Sequence, residues 1–483
     1  MQRDKQGKGS AFWLSFTAIV LSNFLSAIDL TAVSTAVPTI TDDLHGGADF
    51  VWIGSAYGLA SAAILPFSGR LSDVFGRRPI MLIAIAIFFL GSALSGAAKS
   101  MTWLIAARNL NLPLAGICFV LVAVFLRVRT PEGSMREKLT RIDWFGNFLI
   151  IAGTTLALLA LTWGGIQYPW NSAHVLAPLI IGFALIGLFL VYEAFVPLEP
   201  TTPLDILRNR TALGGNLATF AHGILTMSAM FYIPVYFQAC MDATPINSSV
   251  KMLPTTLVCA PMTIIFGVVI KKVQKYRAVN YFGWALLLIG FGLFTLLKAD
   301  SPTSMWAGFQ VITAAGLGII WGATIFPILA SIPVSRMAAA IGFYGFLRTF
   351  AQTWGITITA TILQNELKKN LPSEFVARFP EGVEIAYAAI PLIPSLPEPL
   401  RTEVRVAFAT SMSVVWKVMT GIAGAGFLTL FLLKEIPMQT YTDTRYGLEA
   451  KGTTTSGSNS DVEKDSKGPS QVSELGPVSL DRP

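Results

Sequence analysis

Apolar runs of bilayer-spanning length recur along the chain, separated by short polar stretches, at residues 11–38, 51–68, 80–98, 112–128, 144–163, 174–196, 212–238, 250–270, 279–297, 305–330, 337–363 and 406–433. An α-helix rises about 1.5 Å per residue, so roughly 20 apolar residues cross a hydrocarbon core about 30 Å thick. Each run is predicted to be one transmembrane helix, which makes the chain all-α and polytopic. The period-two alternation that a membrane β-barrel needs is absent from these runs. Two longer polar segments remain. Residues 364–405 read as an outer loop with an amphipathic stretch and a Pro-rich end, and residues 438–483, rich in Ser, Thr, Gly, Lys and Asp, as a disordered tail.

Charge orients this array. Arg70, Arg77 and Arg78, then Arg127, Arg129, Arg136, Lys138 and Arg141, then Arg208 and Arg210, then Lys271, Lys272, Lys275 and Arg277, and finally Arg336 all fall between runs on one side. The short loops opposite carry only Lys99, Arg108, Lys251 and Lys298, and the stretches 39–50 and 164–173 carry no Lys or Arg. Short cytoplasmic loops hold the excess of Lys and Arg, so both termini are predicted to lie inside. Trp103, Trp163, Trp170 and Trp306 fall near the predicted outer boundaries, where amphipathic rings sit at the headgroup level.

Composition agrees and narrows the chemistry. Hydrophobic residues make up 53% of the 483 and charged residues only 13%, against about 25% charged in a soluble domain. The net charge of +7 belongs to the inner loops and does not point to nucleic acid. Cys118, Cys240 and Cys259 lie in or beside apolar runs, and His45, His174 and His222 are scattered, so no metal-ligand spacing arises. A GxxxxGK[ST] phosphate loop is also missing, so neither nucleotide nor cofactor is implied, and no catalytic residue set emerges. A membrane enzyme is thereby disfavoured.

The first inner loop reads Gly69-Arg70-Leu71-Ser72-Asp73-Val74-Phe75-Gly76-Arg77-Arg78-Pro79. Two glycines permit close helix approach and a tight turn, and Asp73 with the arginines makes a charge cluster between helix ends. Such a cluster holds in one conformation and breaks in another, as a rocking transporter requires. Gly69, Arg70, Asp73, Gly76, Arg77 and Arg78 are therefore candidate gating residues. Within the apolar runs, Asp29 is an intramembrane carboxylate that either exchanges a proton or holds a neighbouring helix. Arg348, about eleven residues into its run, needs either a wet cavity or a structural ion pair, and Gln352 lies one turn on. Asn23, Asn216, His222, Gln238 and Gln310 are further polar residues in apolar surroundings, each readable as a helix-to-helix hydrogen bond and together as a polar cavity. Of these, Asn216 and Gln238 join Asp29, Arg348 and Gln352 as candidates for the proton or substrate.

The loop Gly69–Pro79 resembles the signature between the second and third helices of the major facilitator superfamily. Ala27-Ile28-Asp29-Leu30-Thr31-Ala32-Val33-Ser34-Thr35-Ala36-Val37-Pro38 is similar to the first-helix motif of its drug:proton antiporter branch, and Trp52, Tyr57 and Leu59 fit the second helix. Tyr232–Gln238 and Ser248–Pro254 look like that branch's C-terminal half, and Val268–Arg277 resembles a degraded copy of the first inner loop. The resemblance covers about residues 11–435 and is nearest to fungal fourteen-helix efflux pumps for toxins and secondary metabolites. It implies a two-halved helical bundle that exports a small hydrophobic or amphipathic molecule, driven by the proton gradient and seated in the plasma membrane. The residues equally admit a proton-coupled importer of the same superfamily, or a non-transporting receptor or scaffold derived from one; a vacuolar or other internal membrane is the alternative location.

One departure is local. Leu104–Leu110 looks like the start of the family's fourth helix, and Asn111-Leu112-Pro113-Leu114-Ala115-Gly116 like the opening of its sixth. The rest of the fourth helix and the whole fifth, with its Gly-Pro-rich exchange motif, are thus expected to be missing, which reduces fourteen spans to twelve. Either the chain is a shortened product of a longer pump, or it is a twelve-span variant. The organisation read from the sequence is an inner N-terminus (1–10), a shortened N-terminal half (11–128), two linking helices with their loops (129–210), a C-terminal half (211–437) and the tail (438–483).

Overall fold

Asp143, at the start of the fifth apolar run, shows how polar punctuation becomes a helix end. Its carboxylate accepts the Gly146 N–H at 2.9 Å, satisfying one of the first-turn donors that a helix leaves unpaired. The computed structural model describes residues 75–96, 143–165, 168–196, 208–333, 337–379 and 385–438, with the short pieces 16–17, 20–22, 134 and 136. The runs 51–68 and 112–128, nearly all of 11–38, the Leu110–Asn111 junction and the tail beyond residue 438 lie outside the described residues.

The long helices follow the apolar runs. They are α1 Arg77–Gly96, α2 Trp144–Trp163, α3 Ala173–Phe195 and α4 Arg210–Met241. After the short α5 Pro245–Lys251 come α6 Leu253–Val273, α7 Arg277–Phe294 and α8 Thr303–Ala323, the last continued by α9 Ile325–Ala330. Then follow α10 Met337–Asn370, the short α11 Ser373–Val376 and α12 Ile385–Ala389, and α13 Leu400–Thr429. The described residues hold no named strand, only one isolated bridge between Gly164 and Tyr168.

Seven of these stretches are long and apolar enough to cross a membrane, with α8 and α9 counted together. Two long helices are not among them: α1, whose apolar stretch is the shorter Arg78–Leu90, and α10, which has 34 residues but is threaded with Arg348, Gln352, Thr353, Thr357, Thr359 and Thr361. A helix of that length spans about 51 Å. Its hydropathy is low because these polar residues, with Glu366, Lys368 and Lys369 near its end, are spread around and along the helix.

α2 and α3 form an antiparallel hairpin. Val175, Gly182 and Phe189, seven residues apart, make the buried stripe of α3, while Ile180 and Val191 on its other side are exposed. α4 is buried almost throughout and touches α8, α9, α10 and α13, while α7 packs on α8 and α13, and α6 on α8. α6 is peripheral, with Leu257 and Ile264 on its open face. Exposed apolar stripes of this kind suit acyl chains rather than water.

Side-chain hydroxyls and amides join the helices. Ser228 Oγ donates to Gly355 O at 3.2 Å and accepts from Thr359 Oγ1 at 2.9 Å, and Thr263 Oγ1 donates to Gly318 O at 2.8 Å. Such bonds hold a bundle together where water is absent. At the end of the bundle that carries Asp242, the stretch expected as an outer loop is shorter and more ordered than the sequence suggests. α10 runs on to Asn370, α13 begins at Leu400, and Phe375, Ile385, Ala386, Ile390 and Ile393 are buried between them. The Pro-rich end is a 3-10 turn, Ile390–Ser395, whose apolar residues cover the helix ends.

Candidate functional site

The polar centre of the described bundle forms where α8 breaks. Pro327 lacks an N–H, and its ring clashes with the carbonyl four residues back, that of Ala323. The helix accordingly stops at Ala323 and restarts at Ile325, with Thr324 as the joint. Carbonyls near the joint accept side-chain donors: Asn280 Nδ2 reaches Ala323 O at 3.3 Å, and Tyr344 Oη and one terminal nitrogen of Arg348 each reach Trp321 O at 3.3 Å. Broken helices at membrane depth are tolerated where other groups satisfy the freed backbone.

Arg348 rises from α10 into this joint. Its residue is 7% exposed, roughly 16 Å along the helix from Met337. The guanidinium carbon lies 4.3 Å from the centre of the Trp321 ring and 4.7 Å from that of Tyr344, so two aromatic faces hold the cation. The same terminal nitrogen donates to Thr324 Oγ1 at 3.4 Å, and Nε has no acceptor. From α4, His222 donates through Nε2 to Leu317 O at 3.0 Å and sets its ring edge-on to Trp321 at 5.9 Å. A carbonyl only accepts, so Nε2 carries a proton. His222, Leu317, Trp321, Thr324, Tyr344 and Arg348 thus form one connected polar cluster.

The other sequence candidates fall in different places. Gln352 is half-buried on α10, one turn beyond Arg348. Asn216 is buried on α4, with Nδ2 on Ala212 O of its own helix at 2.9 Å and Oδ1 unsatisfied. Gln238 lies about 24 Å along α4 from His222. There it donates to Ser248 Oγ at 3.0 Å and ties α5 to the helix end. Gln310 likewise bridges, accepting from Thr255 at 2.8 Å and donating to Lys251 O at 3.1 Å. Asp29, Gly69, Arg70 and Asp73 lie outside the described residues. Gly76 is described, with φ +93° just before α1, a conformation open to glycine at little cost. Arg77 begins α1, and Arg78 is half-buried in it. In the Val268–Arg277 segment, Gln274 ends α6 with φ +57°.

Trp321 and Tyr344 escaped the sequence reading because an aromatic in an apolar run looks like any other. Pro327, 21 residues before Arg348, was the available signal of a break.

At the Asp242 end, Arg401 pairs with Asp242 at 2.7 Å, and Arg405 Nε donates to Cys240 O at 2.7 Å and lies 3.7 Å from Asp242. This clamp joins α4 to α13. Beside it opens a cavity of about 620 Å³ lined by Lys298, Asp300, Arg405 and Ser413 among others.

Comparison with known proteins adds to this geometry. The Major Facilitator Superfamily model matches residues 19–356. Efflux pump FUS6 of Gibberella fujikuroi is 34% identical over 518 residues, covering 93% of this chain and 93% of its own. MFS-type efflux pump LUC4 of Fusarium sp is 34% identical over 516 residues, covering 92% of each. Among solved structures, a bacterial homologue of the human lysosomal transporter Spinster, inward-facing and unoccupied, superposes with a TM-score of 0.50 at 14% identity, over 88% of this chain and 98% of that one.

Proposed function

Since the chain belongs to the Major Facilitator Superfamily, and is thus a multi-pass membrane transporter rather than an enzyme, we propose that it is a proton-coupled exporter of a small hydrophobic or amphipathic secondary metabolite or toxin. The observation that carries this reading is the 34% identity to a protein named an efflux pump over nearly the whole of both chains. Alternating access between two helical halves moves the substrate, and inward proton flow drives it, each proton releasing about 2.3 kcal/mol per 100 mV of potential. The plasma membrane is the site that export requires. The polar cluster around Arg348 is the part of the cavity wall supplied by α4, α8 and α10. Asp29 and the Gly69–Arg78 loop supply the proton-linked and gating groups of the first half.

The matched alignments also bear on the shortened first half. The alignment to FUS6 runs over 518 residues while this chain has 483, so the relative carries residues with no counterpart here. Loss of the fourth and fifth helices near Leu110–Asn111 would leave a gap of this kind.

Deletion of the protein from its own cells tests the exporter reading. Export predicts that a metabolite accumulates inside the cells and disappears from the medium, and that a protonophore reproduces the effect in undeleted cells. Loss of uptake instead would sink export in favour of an importer. Asp73→Asn tests the gate: export ceases while the protein still inserts into the membrane. Undiminished export would remove Asp73 from that role.

A further inference from the structure

Arg348 is the one buried cation of the described bundle for which the structure gives no carboxylate. The described ion pairs lie elsewhere: Arg401 and Arg405 share Asp242, and Lys369 meets Glu366. A guanidinium offers five N–H donors in a planar fork. Here one nitrogen makes two long bonds, to Trp321 O at 3.3 Å and Thr324 Oγ1 at 3.4 Å, and Nε bonds nothing. Trp321 and Tyr344 stabilise the cation through their faces, which leaves Nε of the fork without an acceptor. Buried arginines in membranes are otherwise paired or set against water, because an isolated charge there is costly. The fork matches the two oxygens of a carboxylate. Next to it, Trp321 is 39% exposed and presents an indole surface to whatever lies alongside.

We propose that Arg348, framed by Trp321 and Tyr344 at the α8–α9 break, is the receptor for a single negative charge on the transported molecule, so that the substrate class is amphipathic organic acids bearing a carboxylate beside an apolar or aromatic body. The proposal rests on the exporter reading for its meaning as a substrate site. The carboxylate takes the Nε edge of the guanidinium, and the apolar body lies on Trp321. A lipid phosphate is the other anion that the same fork fits, and the experiment separates the two.

The purified full-length protein in detergent is heated with 1-naphthaleneacetate or decanoate, and in parallel with the neutral isosteres 1-naphthaleneacetamide and decanamide. The acids are expected to raise the unfolding temperature, with apparent affinities at least tenfold tighter than those of the amides. Arg348→Gln abolishes that preference. Arg348→Lys, which keeps the charge but not the fork, retains the preference with weaker affinity, and it serves where the glutamine variant does not fold. Equal stabilisation of the parent by acids and amides overturns the proposal, as does a preference that survives Arg348→Gln. Dioctanoyl phosphatidate stabilising the parent through Arg348 while the carboxylates do nothing assigns the fork to a lipid headgroup and also overturns it. Vesicles carrying the protein are then loaded with each probe. If the acids bind through Arg348 but neither probe moves, the anion site stands and the exporter reading fails.

Discussion

Glu435, just past the last helix, turns its carboxylate onto the backbone N–H of Tyr276 at 2.9 Å, with the N–H of Arg277 at 3.3 Å on its other oxygen. It thereby caps α7 from 159 residues away in sequence, where the first turn has no side-chain cap of its own. An anion at a helix N-terminus also meets the positive end of the helix dipole. The Tyr276 hydroxyl completes the latch, donating to Lys434 O at 2.5 Å and accepting from Ile436 N–H at 3.0 Å. Tyr276→Phe leaves both backbone groups without that partner and is expected to lower stability by about 1–3 kcal/mol. Glu435→Gln, more exposed, is expected to cost about 1 kcal/mol. Burial, together with the Glu435 charge, raises the Tyr276 phenol above its ordinary value of 10.0, although the Ile436 bond opposes the shift. The stabilisation is therefore complete below pH 10 and is lost only as pH climbs through the raised value. Hydrogen exchange at residues 433–438 checks this: protection that is constant from pH 6 to 9 and lost in Tyr276→Phe is the expected result.

Gly223 and Gly355 set the distance between α4 and α10. A Cβ on Gly355 would fall on the Ile224 carbonyl, and one on Gly223 would lie 2.8 Å from the Arg348 carbonyl. Small residues at such crossings let backbones meet in a membrane. Gly355→Ala is expected to push the helices apart and cost about 1–3 kcal/mol. Gly421→Ala on α13, where an added Cβ meets nothing among the described residues, is the control and is expected to be neutral. Thermal unfolding of the two variants beside the parent is the measurement, and equal midpoints would show that α4 and α10 tolerate separation.

How much of this was legible in the sequence depends on the physics involved. Helix existence follows from hydropathy, because a segment without water has to satisfy its backbone internally. The run read at 144–163 is the helix Trp144–Trp163, whose start Asp143 marks. Helix neighbours are not legible in the same way. Arg348 stands out as a charge in an apolar run, but its stacking on Trp321 depends on how α10 is rotated against α8, which one chain's hydropathy does not encode. The Glu435 latch was invisible for the same reason: the polar residues just after a last span look like tail until they meet a helix end far back in the chain.

Asp242 carries the clamp at the opposite end, and its backbone offers a clean test. With φ +51° it sits in the left-handed region, which asparagine also tolerates. Asp242→Asn therefore removes the charge without adding backbone strain. The paired side chains are partly exposed, so the expected loss is about 0.5–1 kcal/mol at low salt, shrinking as salt screens the pairs. Asp242→Ala adds strain and is expected to lose more. Unfolding midpoints of both variants across a salt series decide the matter. A midpoint for Asp242→Asn that matches the parent at low salt would mean that Arg401 and Arg405 are held by their other contacts, such as the Arg405 bond to Cys240 O.

Pro327 separates stability from function in one position. Proline within a helix costs about 3 kcal/mol or more relative to a residue that keeps the ladder intact. Pro327→Ala restores an N–H facing the Ala323 carbonyl, which Asn280 now serves at 3.3 Å. The α8–α9 stretch is then free to straighten through Thr324. A straight helix draws the Trp321 carbonyl back into its own ladder, away from Tyr344 and Arg348, and rotates the indole relative to the guanidinium. The expected outcome is a protein that is as stable as the parent or more so and that transports less. Thermal unfolding and vesicle transport measured on one preparation test this. Full transport from a stabilised Pro327→Ala protein would mean that the break is a packing accommodation and that Arg348 reaches its partners without it. Lowered stability together with lowered transport would instead place the break among the contacts that hold α9 against α4, where the Pro327 ring would lie 3.2 Å from a Cβ added at Gly215.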